Sequence, residues 1–254
     1  MKLLLTNDDG IEAPGLAALV QSMDGLGTLH LVAPHDVQSG ASHAMMDRSP
    51  LRVTPRNLPG AASAHAVEGR PADCTRLGLR HYARDVDWVV SGINAGGNLG
   101  MDVYYSGTVA AAREAAIMGR PAIAISQFMR TREGLDWQRA ARWAGHLIRV
   151  VMALPQRPGR FWNINLPQPT TEAPPDVVLV PLAVDAHNVD YRREDASGEA
   201  SIFHYRGRYQ DRPAPAGSDV DAVFSGSISV TPLLLDGTDG RTVDEGLHLP
   251  ALPL

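Results

Sequence analysis

Two aspartates stand side by side in this sequence, Asp8 and Asp9, between a short apolar run at residues 3–6 and Gly10. Adjacent carboxylates repel each other unless a cation or hydrogen-bond donors neutralise them. In a regular strand they would point to opposite faces, whereas at a strand-to-loop turn both can converge. With amide and hydroxyl oxygens around them they would form a hard-oxygen site, suited to Mg²⁺ or Mn²⁺ rather than zinc. Asn-Asp-Asp-Gly is equally good turn chemistry, and a turn needs no metal. A second signal is Ser106-Gly107-Thr108, which opens an Ala-rich stretch. Free backbone N–H groups at a helix start attract anions, and a glycine lets a phosphate come close. The same residues also make an ordinary helix cap. The pair of signals says more than either alone, since a hard cation beside a phosphate cradle is the equipment of phosphoryl transfer.

Two further polar clusters have the right placement. Ser39-Gly40, with His35, Asp36 and Ser42, follows the second strand pattern, and Ser91-Gly92-Ile93-Asn94 follows the apolar run at 86–90. His35 and His43 lie near enough in sequence to be candidates for proton transfer. Other patterns are weaker. Asp85-Val86-Asp87 and Asp219-Val220-Asp221 imitate a DxD phosphatase motif, but that chemistry needs its aspartate after a strand; Asp85 precedes one and Asp219 opens a short helix pattern. Gly96-Gly97-Asn98-Leu99-Gly100 lacks dinucleotide-binding spacing, and no GxSxG elbow is present.

The elements that must position these clusters alternate between strand and helix. Strand patterns at 3–6, 28–34, 86–90 and 122–126 are separated by helix patterns at 15–23, 71–83 and 108–118. The clearest helix is 136–153, where Trp137, Ala141, Ala144, Ile148 and Val151 share one face and Arg139, Arg142, His146 and Arg149 the other. Such alternation predicts an α/β fold, a Rossmann-like doubly wound and mostly parallel sheet. In such a sheet ligands bind beyond the carboxyl ends of the strands, where these clusters fall. The last third differs: strand patterns at 161–166, 177–184, 201–206 and 227–233 flank a polar, Gly- and Pro-containing stretch at 185–217. The reading is a catalytic core over 1–184 and an extended β-rich arm with a returning strand over 185–254, working as a single functional unit. The Pro-rich tail LHLPALPL argues against a long terminal helix.

Composition removes other functions. The chain has 254 residues, 44% hydrophobic and 20% charged, which excludes a disordered or fibrous chain. Its formal charge is −5 and it carries no dense basic stretch, so nucleic acid is not an expected partner. Of its 23 basic residues only Lys2 is a lysine, which excludes a Walker A loop. Cys74 stands alone, so no intramolecular disulfide or Cys-rich zinc site forms. The N-terminal apolar run stops at Asp8, unlike a secretory signal, and no stretch approaches the ~18 apolar residues of a membrane span. A cytoplasmic protein without membrane attachment is expected.

In these residues the sequence resembles the SurE (survival protein E) 5′-nucleotidases. The resemblance lies in ordered blocks: LLTNDDGIEAPG at 4–15, VAP at 32–34 with SGAS at 39–42, RPADC at 70–74, SGINAGGNLGMDVYYSGTVAAA at 91–112, GRPAIAIS at 119–126, NINLP at 163–167 and SGSISVTPLLLD at 225–236. It implies a Rossmann-like domain with an arm used in forming a homodimer or homotetramer. It also implies a divalent cation held by Asp8, Asp9, Ser39 and Asn94, with Asp8, Asp9 and Asn94 catalytic. Ser39, Gly40, Asn94 and the loop Ser106, Gly107 and Thr108 would bind the phosphate of a nucleoside monophosphate. This chain departs from the family at His35-Asp36-Val37-Gln38, at His43, where an asparagine is common, and at Arg70, where a threonine is common. A metal-dependent phosphatase of nucleoside monophosphates is therefore expected. A sensor that keeps the site but has lost turnover, and a phosphatase of another small ester or short polyphosphate, are the alternatives. Asp8→Asn is expected to abolish phosphate release without unfolding the chain; turnover at the wild-type rate in that variant would reject the metal role.

Overall fold

Leu3, Leu4 and Leu5 are all fully buried, which places the first strand in the middle of a sheet covered on both faces. In the computed structural model, which describes residues 1–131, 134–168, 173–186, 189–195 and 201–238, this strand is β1 (Lys2–Thr6). Side chains alternate across it. Leu3 and Leu5 join one core with α1 (Pro14–Ser22) and α4 (Trp137–Ala153), while Leu4 joins a second with α2 (Pro71–Leu77) and α3 (Gly107–Ile117).

The sheet has nine strands in the order β3-β4-β2-β1-β5-β6-β7-β11-β8. They are β2 (Thr28–Pro34), β3 (Val53–Arg56), β4 (Ser63–Val67), β5 (Trp88–Ala95), β6 (Ala122–Gln127), β7 (Arg160–Leu166), β8 (Val177–Leu179) and β11 (Ile228–Leu234). The run β4-β2-β1-β5-β6-β7 is parallel throughout. Its order reverses between β1 and β5, and a reversal of this kind opens a crevice at the carboxyl ends of the two strands. β3 and β11 are antiparallel to their neighbours β4 and β7. The expected α/β sheet is therefore present, with antiparallel additions toward its edges.

Several elements differ from the sequence expectation. The strand expected at 86–90 begins at Trp88 and runs to Ala95, so Asn94 lies on the strand end and not in a loop after it. The strand expected at 177–184 shrinks to Val177–Leu179. β3 and β4 fall in the stretch 35–70, which the sequence leaves as polar; Ala64 and Ala66 are too small to advertise the alternation that buries them. β9 (Tyr191–Asp195) pairs antiparallel with β10 (Ser201–Tyr205) in a separate two-stranded ribbon. α5 (Asp219–Phe224) then leads into β11, which returns to the main sheet. The tail LHLPALPL lies outside the described residues.

The helices seat closely on the sheet. α1 starts with Pro14, whose missing N–H is harmless in a first turn. A Cβ at Gly15 would fall 1.9 Å from the Ile93 carbonyl oxygen of β5, so only glycine permits this approach. Gly15→Ala is expected to destabilise the fold by about 1–3 kcal/mol through overpacking, read as a lower urea midpoint; an unchanged midpoint would contradict the close seating of α1.

Candidate active site

All four clusters come to the crevice where β1 and β5 diverge. Asp8 follows the end of β1, and β1 pairs with β5 through Thr6 and Ser91. Asn94 stands beyond a register shift between Ser91 and Asn94. Asp9 Oδ2 accepts the Ala95 N–H at 3.0 Å, which ties the second carboxylate to the end of β5. Asn94 Nδ2 donates to the Gly96 carbonyl at 2.7 Å, and its carbonyl oxygen is the atom able to ligate a cation. Asn7 Nδ2 donates to the Gly10 carbonyl at 2.7 Å and closes the turn carrying the aspartates. The turn chemistry and the convergence of acids thus coexist.

The head of α3 faces Asp8. The Thr108 hydroxyl donates to Asp8 Oδ1. A Cβ on Gly107 would lie 2.8 Å from the Asp8 Cβ, so glycine is what allows the helix end this close. Ser106 Oγ caps the helix by accepting the Val109 N–H at 3.0 Å. The sequence groups Thr108 with the phosphate-binding residues; in the structure its hydroxyl proton goes to Asp8, which ties that group to the acids. Ser106 can still donate its hydroxyl proton, and Gly107 presents a first-turn N–H with no acceptor inside the helix.

Ser39 and Gly40 lie on an exposed turn, with Gly40 at φ 74°. The turn is fastened at both ends. Gln38 N–H donates to the Asp8 carbonyl at 2.7 Å. Ser42, in the left-handed region at φ 53°, donates its N–H to the Tyr105 carbonyl at 3.1 Å and its hydroxyl to the Tyr104 carbonyl at 2.6 Å. Neither histidine candidate stands between the acids. His35 Nδ1 lies 3.1 Å from Asp36, and His43 Nε2 lies 2.8 Å from Glu114. Glu114 is buried on α3 and also takes the Arg76 guanidinium at 2.5 Å. Burial pushes the Glu114 carboxyl up, but His43 and Arg76 more than offset this and hold it below the usual range. The His43–Glu114 contact is a second fastening of the Ser39 turn to α3.

Several contributors escape sequence reasoning. Gln38 and Glu114 act only through contacts distant in sequence. Asn163 and Asn165 are different, because two amides on one face of an otherwise apolar strand are a visible signal. Both are fully buried and donate to the Asn98 carbonyl at 2.9 and 3.1 Å. The imitation phosphatase motifs have structural roles. Asp85 pairs with Lys2 at the surface, and buried Asp219 accepts the N–H groups of Gly100 and Ala183 at 2.7 and 2.9 Å.

Asp8 is 4% exposed and lies beside a second acid. Burial lifts its carboxyl, the Thr108 hydrogen bond opposes that lift and the Asp9 charge adds to it, to a value of about 6. A buried carboxylate raised in this way, with amide and hydroxyl oxygens at its side, fits a hard dication. Among the described residues no histidine or cysteine, and no third carboxylate, joins the pair. The carboxylate, amide and hydroxyl oxygens gathered there are donors of the kind a hard cation takes.

The raised value has a thermodynamic sign. Without metal, the folded state holds its Asp8 proton more tightly than the unfolded state, whose carboxyl ionises near 3.8. The contribution of Asp8 to stability is full below 3.8, falls as pH rises toward about 6, and on the order of 3 kcal/mol of it is lost above that. In chelator, Asp8→Asn should therefore melt higher than wild type at pH 7.5, with the gap closing by pH 4. Added Mn²⁺ should raise the wild-type melting temperature and leave the variant unmoved. Equal melting at both pH values would show that Asp8 carries no buried charge in the folded state.

Comparison with known proteins finds relatives of the same fold over nearly the whole chain. The family model described as survival protein SurE matches residues 3–186. A protein of Synechocystis sp. is 43% identical over 92% of this chain and 99% of its own length. A 5′-nucleotidase SurE of Paramagnetospirillum magneticum is 39% identical over 94% of this chain and 91% of its own. The crystal structure of the SurE protein from Aquifex aeolicus superposes with a TM-score of 0.84 at 31% identity, covering 96% of this chain and 98% of that one. With well over half of its length matched by the family and full-length relatives near 40% identity, the chain belongs to the SurE family.

Proposed function

We infer that this chain is a SurE-type 5′-nucleotidase, a divalent-cation-dependent hydrolase that releases phosphate from nucleoside monophosphates. The observation that carries the reading is the meeting of the Asp8–Asp9 pair with the head of α3 at the reversal of strand order. Asp8, Asp9, Ser39 and Asn94 hold the cation, Mg²⁺ or Mn²⁺. When bound, that ion supplies Lewis acidity at a phosphoryl oxygen and lowers the pKa of water. Asp9 lies at the exposed side of the pair and orients the attacking water. The Gly107 N–H and the Ser106 hydroxyl donate to the phosphoryl oxygens as charge grows on them. Gly40 takes the left-handed backbone that turns the chain beside Ser39, and its N–H is offered to the phosphate.

The leaving nucleoside has room close by. A cavity of about 420 Å³ is lined in part by His35, Asp36, Gln38, Glu68 and Arg70. Gln38 joins it to the Asp8 backbone, and Arg70 donates to the Gln38 side chain. His35, Asp36, Gln38 and Arg70 of this lining are among the positions where the chain departs from the family pattern, which supports reading base preference there. The β9–β10 ribbon exposes Tyr191, Phe203 and Tyr205, which supports an assembly arm over 185–254 and a homodimer or homotetramer. Cytoplasmic residence belongs to the same reading. It is supported by Cys74, buried as a free thiol, and by the lack, among the described residues, of a helix long and apolar enough to cross a membrane.

A phosphate-release screen over the nucleoside 5′-monophosphates, their 3′ isomers and short polyphosphate tests the reading. Release from 5′-monophosphates is expected with Mn²⁺ or Mg²⁺ and none with chelator. Tight nucleotide binding without release would turn the reading to a sensor, and metal-independent release would overturn it.

A further inference from the structure

Between Asn94 and Ser106 the chain makes a polar excursion, residues 95–105, that joins the two halves of the site. One side of it is held by β7: Asn98 N–H donates to Asn165 Oδ1 at 2.8 Å, and Asn98 Nδ2 donates to the Ser126 hydroxyl of β6 at 2.7 Å. The other side is held from the far end of the chain, just beyond the β9–β10 ribbon. Arg212 places its guanidinium fork on Asp102, Nη1 to Oδ2 at 2.6 Å and Nη2 to Oδ1 at 3.2 Å, and reaches the Leu99 carbonyl at 3.2 Å. The Tyr209 hydroxyl lies 2.9 Å from Asp102 Oδ2 and 3.0 Å from the Gly97 carbonyl. The guanidinium stacks 3.7 Å from the centre of the Tyr209 ring. Asp102 passes this grip on, because its carbonyl accepts the N–H groups of Tyr105 and Ser106, both at 2.9 Å. The side chain held by Arg212 and the carbonyl that fixes the first residue of the phosphate turn therefore belong to one residue.

We propose that Arg212, supported by Tyr209, is a positioning residue for phosphate binding: it fixes Asp102 and so sets the angle at which Ser106 and Gly107 meet a phosphoryl group. The proposal rests on the reading of that turn as the phosphate cradle. Both residues lie beyond the 3–186 segment matched by the family model, so the C-terminal segment completes the site rather than serving assembly alone. A planar two-donor fork is required. A lysine keeps the charge but cannot hold both carboxylate oxygens or stack in the same way.

The test uses the full-length protein with Arg212→Met, Arg212→Lys and Tyr209→Phe. It reads the Kd of inorganic phosphate by calorimetry in Mn²⁺, the Kd of Mn²⁺ alone, and the separate kcat and KM for a nucleoside monophosphate. For Arg212→Met, phosphate Kd should rise about 10-fold, equivalent to about 1.4 kcal/mol, KM should rise with it, kcat/KM should fall by at least as much, and Mn²⁺ affinity should stay unchanged. Arg212→Lys should not restore phosphate affinity, and Tyr209→Phe should weaken it by about 3-fold. Tyr209→Phe removes one hydroxyl only and carries the test if the arginine variants fail to fold. A lowered melting temperature with phosphate Kd and KM at wild-type values would make the clamp purely structural and overturn the proposal, as would full rescue by lysine. Wild type that binds phosphate but releases none from nucleotides would defeat the nucleotidase reading and leave this one standing. Wild type that releases phosphate from nucleotides but binds no inorganic phosphate defeats this proposal alone.

Discussion

A carboxylate that is removed from water next to another carboxylate needs positive charge to settle it, and Asp8 is in that position. Thr108 and the head of α3 stabilise it in part, but burial and Asp9 still leave it near 6. A fold selected only for stability would replace such a group by an amide. Keeping an acid there makes sense if a cation completes the charge balance, and the surrounding oxygen donors match a hard ion. Much of the local architecture serves this arrangement: the turn closed by Asn7, the Gly107 contact that lets the helix end approach, and the Ala95 N–H that holds Asp9.

The scaffold explains why the acids sit where they do. A parallel sheet that reverses its order between β1 and β5 leaves one crevice where two loops part, and the polar clusters from four separate stretches all drain into it. Each cluster is then fastened from outside. The Ser39 turn is held through Gln38, Ser42 and His43, and the excursion before α3 is held by β7 on one side and by Tyr209 and Arg212 on the other. Catalytic geometry of this kind depends on supports as much as on ligands, since a small misplacement weakens every charged interaction that follows.

How much of this could be read from the chain differs by element. The leucines of β1, the amphipathic face of α4 and the cap at Ser106 follow from periodicity and local chemistry, which act within a few residues. The acids stand out because adjacent charges demand an explanation wherever they occur. β3 and β4 stay hidden because Ala64 and Ala66 carry little apolar signal and Pro55 interrupts the run. The Thr108–Asp8 hydrogen bond joins residues a hundred apart in sequence, beyond the reach of local pattern. The same holds for His43 with Glu114 and for Arg212 with Asp102, whose pairing depends on strand order and not on local pattern.

Anomalous diffraction from a crystal soaked in MnCl₂ addresses the cation most directly. A single strong peak within ligand distance of the Asp8 and Asp9 carboxylates, the Asn94 carbonyl oxygen and the Ser39 hydroxyl is the outcome expected from the buried charge. A crevice without manganese, its two acids turned apart toward solvent, would contradict it.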